Sequence, residues 1–433
     1  MTGPEPAPAQ YDRPVDEGSE GQQGAPRRRL RILLVIKGLG YGGAERLLAE
    51  TVATGDRDGF DYEVAYVLAT EDGLAADIGA QGTAVHGLGA TRSVDVRWVG
   101  RLRTLIQRGS FDVVHFHLPY SAALGRLAVA SVPRTSRPAV VYTEHSLWNK
   151  AAVVTKAING AGIGRDQSLI VVSQAAHDAL PPRLRARARV IVHGLDMSRA
   201  DALLARRDEV RESVRSELGI PSGHVLVLAV ANFRAEKGYD VLLDAVRVLH
   251  DRGVRVRVAA VGQGPLEDEM RRRHQELGLG DELQFLGLRD DVLRLLAGSD
   301  VFVLASRQEG LPVSLMEATG TATPIVATSV GGVPQVITDG INGLIVPPGD
   351  PVALADALER VASDPGLRRR LGAGAKRTSA MFDVTSATRE IEGIYRDLAA
   401  GPEAGARHPP SSSRAATGSA RDEEPPAIGA LPP

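Results

Sequence analysis

Apolar segments alternate with helical segments along this chain, and the alternation occurs in two successive series. The first series begins with residues 30–38, LRILLVIKG, which are apolar almost throughout, as in a strand that is buried on both faces. Residues 42–54 follow with the spacing of an amphipathic helix. A second series begins at residues 224–233, HVLVLAVANF. Strands that alternate with helices predict a parallel sheet, so we expect an α/β fold with two Rossmann-like domains, residues 30–195 and 196–380.

The composition is that of a globular protein large enough for two cores. The chain has 433 residues, 43% hydrophobic and 24% charged, and its net charge of −2 gives no reason to expect nucleic-acid binding. It has no cysteine, which excludes disulfides and thiolate metal sites. No apolar run reaches the ~18–20 residues of a membrane span, and the N-terminal segment does not resemble a signal peptide. Residues 1–29 and 400–433, rich in Pro, Gly, Ala and Ser, are predicted to be disordered tails.

The turn after the first strand contains closely spaced glycines. Gly38, Gly40 and Gly43 match the pattern G-x-G-x-x-G, and Gly42 and Gly43 stand at the start of the predicted helix. Two interpretations are open. The glycines either permit only a tight turn, or Gly42 and Gly43 let backbone N–H groups approach a phosphate at the helix N-terminus.

The corresponding turn of the second series carries two cations. In NFRAEKGYD, Arg234 and Lys237 stand between a buried strand and a helix. Ligands of such sheets bind at the carboxyl ends of the strands, and charge-assisted hydrogen bonds to phosphate are strong. The position therefore favours phosphate binding over a merely solvated turn.

Two glutamates, Glu309 and Glu317, stand with seven residues between them in SRQEGLPVSLMEATG. Pro312 suits the first position of a helix, so the free N–H groups of Val313 and Ser314 should favour an anion in the cleft. Each carboxylate can accept two hydroxyls of a diol, one on a ribose and one on a sugar ring, with a diphosphate between them. The alternative is a loop glutamate and a surface-helix glutamate without function.

These motifs together resemble the retaining glycosyltransferases of family 4, which have the GT-B fold. The resemblance covers nearly all of residues 31–398 and rests on GLGYGGAER, DVVHFHLP, VYTEH, EKGYDVLLDA, VGQGPL and, most specifically, the E-x(7)-E signature in its full setting. It implies sugar transfer from a UDP- or GDP-sugar to an acceptor hydroxyl, in glycan, glycolipid or small-glycoside biosynthesis. The anomeric configuration would be retained, and no cofactor or metal would be required. The donor would bind the second domain and the acceptor the first.

The resemblance also implies roles for individual residues. Glu309 would contact the transferred sugar, Glu317 the ribose, Lys237 the diphosphate, and His117 the reacting centre. The implied catalytic residues are thus His117, Lys237 and Glu309. The implied donor-binding residues are Gly42, Gly43, Asn232, Arg234, Lys237, Gly262, Leu286, Gly310, Leu311, Val313, Ser314 and Glu317.

Three positions depart from the family pattern. Asn232 stands where the family usually has arginine, His193 where asparagine is common, and Gln335 where glutamate is common. Arg234 is a candidate substitute for the missing arginine. The departures leave open an altered donor preference or a non-catalytic glycosyltransferase-like subunit. An epimerase of the same fold and a glycoside hydrolase are also open as functions, and His115 with His117 could be structural histidines or part of a zinc site.

Two further segments carry predictions. The amphipathic stretch 148–162 begins at Trp148 and either touches a lipid-linked acceptor or packs at the cleft. We expect a cytoplasmic protein, with peripheral contact at the inner face of the membrane if the acceptor is lipid-linked. The helical spacing in 381–399 predicts an amphipathic helix, which by resemblance crosses back onto the first domain as a strap. The alternative is an ordinary closing helix of the second domain.

Overall fold

The computed structural model of the protein describes residues 28–401 except residues 93 and 149–152. It has two parallel sheets with helices on both faces, which confirms the predicted α/β fold with two Rossmann-like domains. The predicted disordered tails lie almost wholly outside the described residues, as does part of the amphipathic stretch that follows Trp148.

The first sheet has seven strands in the order β3-β2-β1-β4-β5-β6-β7. These strands are β1 (Leu30–Ile36), β2 (Phe60–Leu68), β3 (Ala84–Ala90), β4 (Val113–His117), β5 (Ala139–Glu144), β6 (Ser168–Val171) and β7 (Ala188–Val190). The helices in this part of the chain are α1 (Gly43–Thr54), α2 (Ala75–Ala80), α3 (Trp98–Gly109), α4 (Pro119–Ala130), α5 (Val153–Ile163), α6 (Gln174–Asp178) and α7 (Pro182–Arg185).

Helices α8 (Ser198–Leu204) and α9 (Arg207–Glu217) lead to a second sheet of six strands, in the order β10-β9-β8-β11-β12-β13. Its strands are β8 (Val225–Val230), β9 (Val256–Val261), β10 (Leu283–Gly287), β11 (Val301–Leu304), β12 (Ile325–Thr328) and β13 (Leu344–Val346). Its helices are α10 (Tyr239–Asp251), α11 (Glu267–Glu276), α12 (Val292–Gly298), α13 (Val313–Gly320), α14 (Val333–Val336), α15 (Pro351–Ser363) and α16 (Pro365–Thr378). The last helix of the described chain is α17 (Val384–Ala399).

The central strands have both faces buried, which explains why they are continuously apolar. In β1, Leu33 packs into one core and its neighbour Leu34 into the core on the opposite face. In β8, Val227 and Leu228 divide in the same way between two further cores. Alternate residues of a strand point to opposite faces, so a strand covered by helices on both sides needs apolar residues at every position.

The sequence does not predict the edge strands β3 and β13. Strand β3 has the sequence AVHGLGA and is only half buried, so it lacks the continuous apolar character of the central strands. Strand β13 has three residues. The predicted helix start at Pro312 is wrong by one residue: Pro312 is the extended N-cap, and α13 begins at Val313.

Helix α17 packs on the first sheet. Ile391, Ile394 and Tyr395 belong to the same core as Ile32 and Leu34 of β1. The chain crosses between the two halves at two adjacent segments, since the amide of Leu195 donates to the carbonyl of Phe382 at 3.0 Å. Within the described residues, no helix is both long enough and apolar enough to cross a membrane.

Candidate functional site

A cleft of about 820 Å³ lies where the carboxyl ends of the two sheets face each other. The strand order reverses between β1 and β4 in the first sheet and between β8 and β11 in the second. Loops that leave such a switch point in opposite directions open a crevice, where α/β folds bind ligands. The cleft joins the crevices of both sheets, and its volume suits a ligand of nucleotide-sugar size.

The glycine turn of the first sheet forms one wall. Gly42 is the N-cap of α1, and Gly43 is the first residue of that helix. Both glycines line the cleft. An added Cβ on Gly43 would lie 3.1 Å from the Val313 side chain, so the N-termini of α1 and α13 approach each other closely.

Lys237 and Glu309 form a tight ion pair in the second half of the cleft. Lys237 ends the short 3-10 turn Ala235–Lys237 that follows β8, and Glu309 lies in the loop after β11. The Lys237 Nζ lies 2.7 Å from each carboxylate oxygen of Glu309, and the Ser306 hydroxyl donates to Oε1 at 2.6 Å. Glu309 is only 6% exposed, so its charge is stabilised chiefly by these contacts.

Glu317 lies deeper, on the cleft side of α13, and is 3% exposed. Nη1 of Arg46, on α1, lies 2.9 Å from Oε1 of Glu317, without the alignment of a hydrogen bond. Burial raises the pKa of Glu317, and Arg46 opposes that rise. This contact joins the two halves of the molecule across the cleft and is an ion pair only.

The N-terminus of α13 provides donors between the two glutamates. Val313 and Ser314 line the cleft, and their amide N–H groups have no acceptor in the described part of the chain. The first N–H groups of a helix cannot be paired within it and carry partial positive charge. An anion placed here would meet these N–H groups and Lys237 together.

Two further cleft positions require glycine. Gly262 has φ +145, and a Cβ there would overlap the carbonyl oxygen of Ala231. A Cβ on Gly310 would overlap the carbonyl oxygen of His145, from the first half of the molecule. At Gly310 the two halves therefore approach through backbone contact, which only glycine permits.

Four histidines form a row that runs from the cleft wall into the first half of the molecule, and we call them the imidazole row: His115, His117, His145 and His193. Adjacent ring centroids in this order are 4.2, 5.4 and 5.5 Å apart. His145, at the end of β5, lines the cleft, whereas His117 lies behind it and is 2% exposed. Desolvation, together with neighbouring imidazoles, holds the pKa values of His115, His117 and His145 well below the usual value, and desolvation lowers that of His193 to about 4.

Most of the sequence-predicted site residues lie together, but three do not line the cleft. Those that line it are Gly42, Gly43, Asn232, Lys237, Gly262, Glu309, Gly310, Leu311, Val313, Ser314 and Glu317. His117 stands behind His145, and Arg234 is exposed at the surface of the turn. Leu286 is partly buried against the core within β10, and Leu288, Arg289 and Asp290 line the cleft in its place.

Specific contacts account for His115 and for Gln335. Both ring nitrogens of His115 are occupied, by the Tyr395 hydroxyl at 2.6 Å and the Thr143 hydroxyl at 2.7 Å. Among the described residues, no three His, Asp or Glu side chains are grouped so that they could hold a metal ion.

Gln335 Oε1 accepts from the Gln174 amide at 3.1 Å, so this departure from the family pattern makes a contact between the two halves.

Comparisons with known proteins place the chain among glycosyltransferases. The family model described as Glycosyltransferase Family 4 matches residues 41–229, and that described as Glycosyl transferases group 1 matches residues 210–378. A D-inositol 3-phosphate glycosyltransferase of Saccharomonospora viridis is 30% identical over 70% of this chain and 74% of its own.

Two other proteins are similar over part of the sequence or in fold. An alpha-D-kanosaminyltransferase of Streptomyces kanamyceticus is 32% identical over 45% of this chain and 50% of its own. The crystal structure of Anabaena HepE in complex with UDP and glucose has a TM-score of 0.74 and 20% identity. It is matched over 85% of this chain and all of that one.

Proposed function

Since the chain belongs to glycosyltransferase family 4 and has the GT-B fold, we propose that it transfers a sugar from a nucleoside-diphosphate sugar to an acceptor hydroxyl, with retention of configuration. One observation carries the proposal. A cation, Lys237, and the free N–H groups of α13 converge between two buried carboxylates, Glu309 and Glu317. This order of charges matches a ribose, a diphosphate and a sugar placed in sequence along the cleft.

The proposed reaction is a substitution on one face of the sugar. The bond between the anomeric carbon and the diphosphate oxygen breaks through an oxocarbenium-like transition state. The acceptor oxygen bonds to the same face, and the leaving phosphate oxygen takes the acceptor's proton. Lys237 and the N–H groups of Val313 and Ser314 stabilise the negative charge that develops on the diphosphate. These groups supply the positive charge, so we propose that no metal is required.

The Lys237–Glu309 ion pair is compatible with this role. An ammonium group has three donors, so Lys237 can hold Glu309 and a phosphate oxygen together. Glu309 in turn fixes the lysine, which lowers the cost of positioning the charge during the reaction. Arg234 is exposed and does not line the cleft, but its charge opposes the rise that burial causes in the pKa of Glu45 on α1, so we keep it as a proposed second cation for the diphosphate.

The choice of substrates is guided by the similar proteins. Anabaena HepE was crystallised with UDP and glucose, which makes UDP-glucose the first donor to try. D-inositol 3-phosphate is the first acceptor to try, because several similar proteins bear its name. Lipid-linked acceptors remain part of the proposal, with peripheral contact at the inner face of the membrane.

A donor and acceptor panel tests the proposed function. The full chain is incubated with labelled UDP- and GDP-sugars, with and without acceptors and with and without EDTA. Nucleoside diphosphate released only with an acceptor, together with a product of unchanged anomeric configuration and no effect of EDTA, supports the proposal. An isomerised donor would identify an epimerase, and donor binding without turnover under every condition would identify a non-catalytic subunit.

The two glutamates should respond differently to substitution. Glu317→Ala should weaken donor binding about tenfold to 100-fold, because it removes the charged acceptor of two ribose hydroxyls. Glu309→Ala should lower kcat more than it lowers donor affinity, because the Glu309 carboxylate positions Lys237 and the transferred sugar. The measurements are calorimetric binding of the donor and steady-state rates. Equal effects within about threefold from both variants would contradict the assignment.

A substitution of Arg46 tests the proposed ribose position from the other side of the ion pair with Glu317. In the structure its guanidinium occupies the position next to Glu317 that the ribose would take, so the donor has to displace it. Arg46→Met keeps most of the side-chain volume and removes the competing charge. We expect it to tighten UDP binding about two- to fivefold, the effect of a weak ion pair. Weaker UDP binding would show that Arg46 contacts the bound nucleotide instead.

A further inference from the structure

Contacts within the imidazole row determine which ring nitrogen of His145, the member that lines the cleft, carries the proton. Nδ1 of His117 lies 3.1 Å from Nε2 of His145, so one of these two nitrogens carries a proton and the other accepts it. Neutral imidazole has a single N–H, and the depressed pKa values make neutral rings the relevant form. The hydrogen bond therefore links the tautomers of the two rings.

The unpartnered atoms in the row distinguish the two arrangements. Nε2 of His117 is fully buried and has no partner in the described part of the chain. If His145 donated, the single proton of His117 would stand on this atom as a buried N–H without an acceptor, a group that is rare in proteins. If His117 instead donates from Nδ1, its Nε2 carries no proton, and the buried group without a partner is only a lone pair.

His193 shows that this region accepts such a lone pair. Its Nδ1 lies 3.2 Å from the carbonyl oxygen of Ile191, which can only accept, so Nδ1 carries the proton. Its Nε2 is then a bare nitrogen, and it too is buried without a partner among the described residues. The rings of His193 and His145 are tilted by 52° with their centroids 5.5 Å apart, and no hydrogen bond joins them.

We propose that His117 is a positioning residue that donates from Nδ1 to His145 and thereby fixes His145 as the Nδ1–H tautomer. Nδ1 of His145 has no partner within the described residues and is not among the buried unpartnered atoms, so it is open to the cleft. The cleft wall then carries a neutral hydrogen-bond donor, directed at an oxygen of the bound sugar. His117 acts through His145 and does not touch substrate.

The rest of the row holds His117 in place. His115 stacks on it at a centroid distance of 4.2 Å. His115 is itself fixed by Thr143 on β5 and by Tyr395 on α17. The orientation of the cleft-lining ring therefore depends on a chain of contacts that ends on the last helix.

Two substitutions of His117 separate the hydrogen bond from its surroundings. Asparagine places an amide N–H near the position of Nδ1 and can donate to His145, whereas leucine fills the space without a donor. His193→Asn is the matched control, because His193 is equally buried and contacts the same ring without a hydrogen bond. All variants are made in the full chain, and their melting temperatures are recorded.

The direct readout is the tautomer of His145. Long-range ¹H–¹⁵N correlation spectra of histidine-labelled protein distinguish Nδ1–H from Nε2–H, and a His145→Gln variant assigns the signal. We expect Nδ1–H in the unsubstituted protein, His117→Asn and His193→Asn. We expect Nε2–H, the form that free neutral histidine prefers, in His117→Leu. Nε2–H in the unsubstituted protein, or one tautomer in all variants, would overturn the proposal.

The kinetic consequence rests on the proposed function, whereas the tautomer does not. With an active donor and acceptor, His117→Leu should lower kcat about tenfold or more while the KM for the donor changes less than about threefold. His117→Asn should recover most of that loss. A protein without transferase activity but with the expected tautomers would refute the proposed function alone. Expected tautomers with an unchanged kcat in His117→Leu would refute the positioning role.

Discussion

Replacing Lys237 with alanine should lower kcat about 100-fold or more, the loss that follows removal of one donor from an oxyanion site. The ammonium is the only side-chain cation among the sequence-predicted site residues that lines the cleft in the described structure, since Arg234 is exposed and is not part of the lining. The substitution also leaves the buried Glu309 with Ser306 as its remaining hydrogen-bond donor among the described residues. The measurement is the steady-state rate at saturating donor, with the melting temperature as a check on folding.

Two further variants make this result specific. Lys237→Arg should recover only part of the rate, because a larger, planar guanidinium that pairs with Glu309 cannot also direct a donor from the position of the small ammonium towards a phosphate oxygen. Arg307→Ala is the matched control. Arg307 lies two residues before Glu309 but pairs with Asp240 outside the cleft, so its loss should change kcat less than about threefold. A near-normal rate in Lys237→Ala would show that the diphosphate binds elsewhere.

The sequence predicted the central strands and much of the site because each depends on local chemistry. A strand with two buried faces must be apolar at every position, and Gly42, Gly43 and Lys237 occur in turns at the carboxyl ends of such strands. The edge strand β3 escaped prediction because one side of it has no neighbour in the described sheet, so its residues need not be continuously apolar.

The predicted site residues that do not line the cleft differ from the others in side-chain direction, which local pattern does not specify. His117 is the last residue of β4 and His145 directly follows the last residue of the neighbouring strand β5, so either could have faced the cleft. The signal that could have found His145 is its position as the last residue of VYTEH, one residue beyond a buried strand. Leu286 and Leu288 stand two residues apart around Gly287, whose φ of +67 turns the chain, so only Leu288 reaches the cleft.

Removing α17 should destabilise the first half of the molecule, although this helix follows the second half in sequence. The side chains of Ile391, Ile394 and Tyr395 complete the core beneath β1, and their loss should lower the free energy of unfolding by on the order of 5 kcal/mol. The cut would also leave polar groups unpaired. Glu392, 1% exposed, accepts hydrogen bonds from the Asp56 amide at 2.7 Å and the Tyr62 hydroxyl at 2.8 Å.

The same contacts give α17 its proposed role as a strap. The segment that precedes α17 runs beside Leu195, where the chain also passes between the two halves. A Cβ on Gly194 would overlap the backbone of Phe382 and Val384, so the two connecting segments are in close backbone contact. A helix fixed to the first sheet and joined to the second half at this point limits how far the cleft can open. A closing helix of the second half alone would leave the first sheet unaffected by its loss.

Amide hydrogen exchange on truncated chains tests the strap. A chain ending at residue 380 should exchange faster than the full chain throughout residues 31–195, whereas a chain ending at residue 401 keeps α17 and should not. If the shorter chain does not fold, Glu392→Ala in the full chain supplies the test, with an expected destabilisation of about 2–4 kcal/mol from two unpaired donors. Glu390→Ala, on the exposed side of the same helix, is its control and should stay within about 0.5 kcal/mol. Unchanged exchange in residues 31–195 after loss of α17, or equal stability of the two glutamate variants, would show that no strap exists.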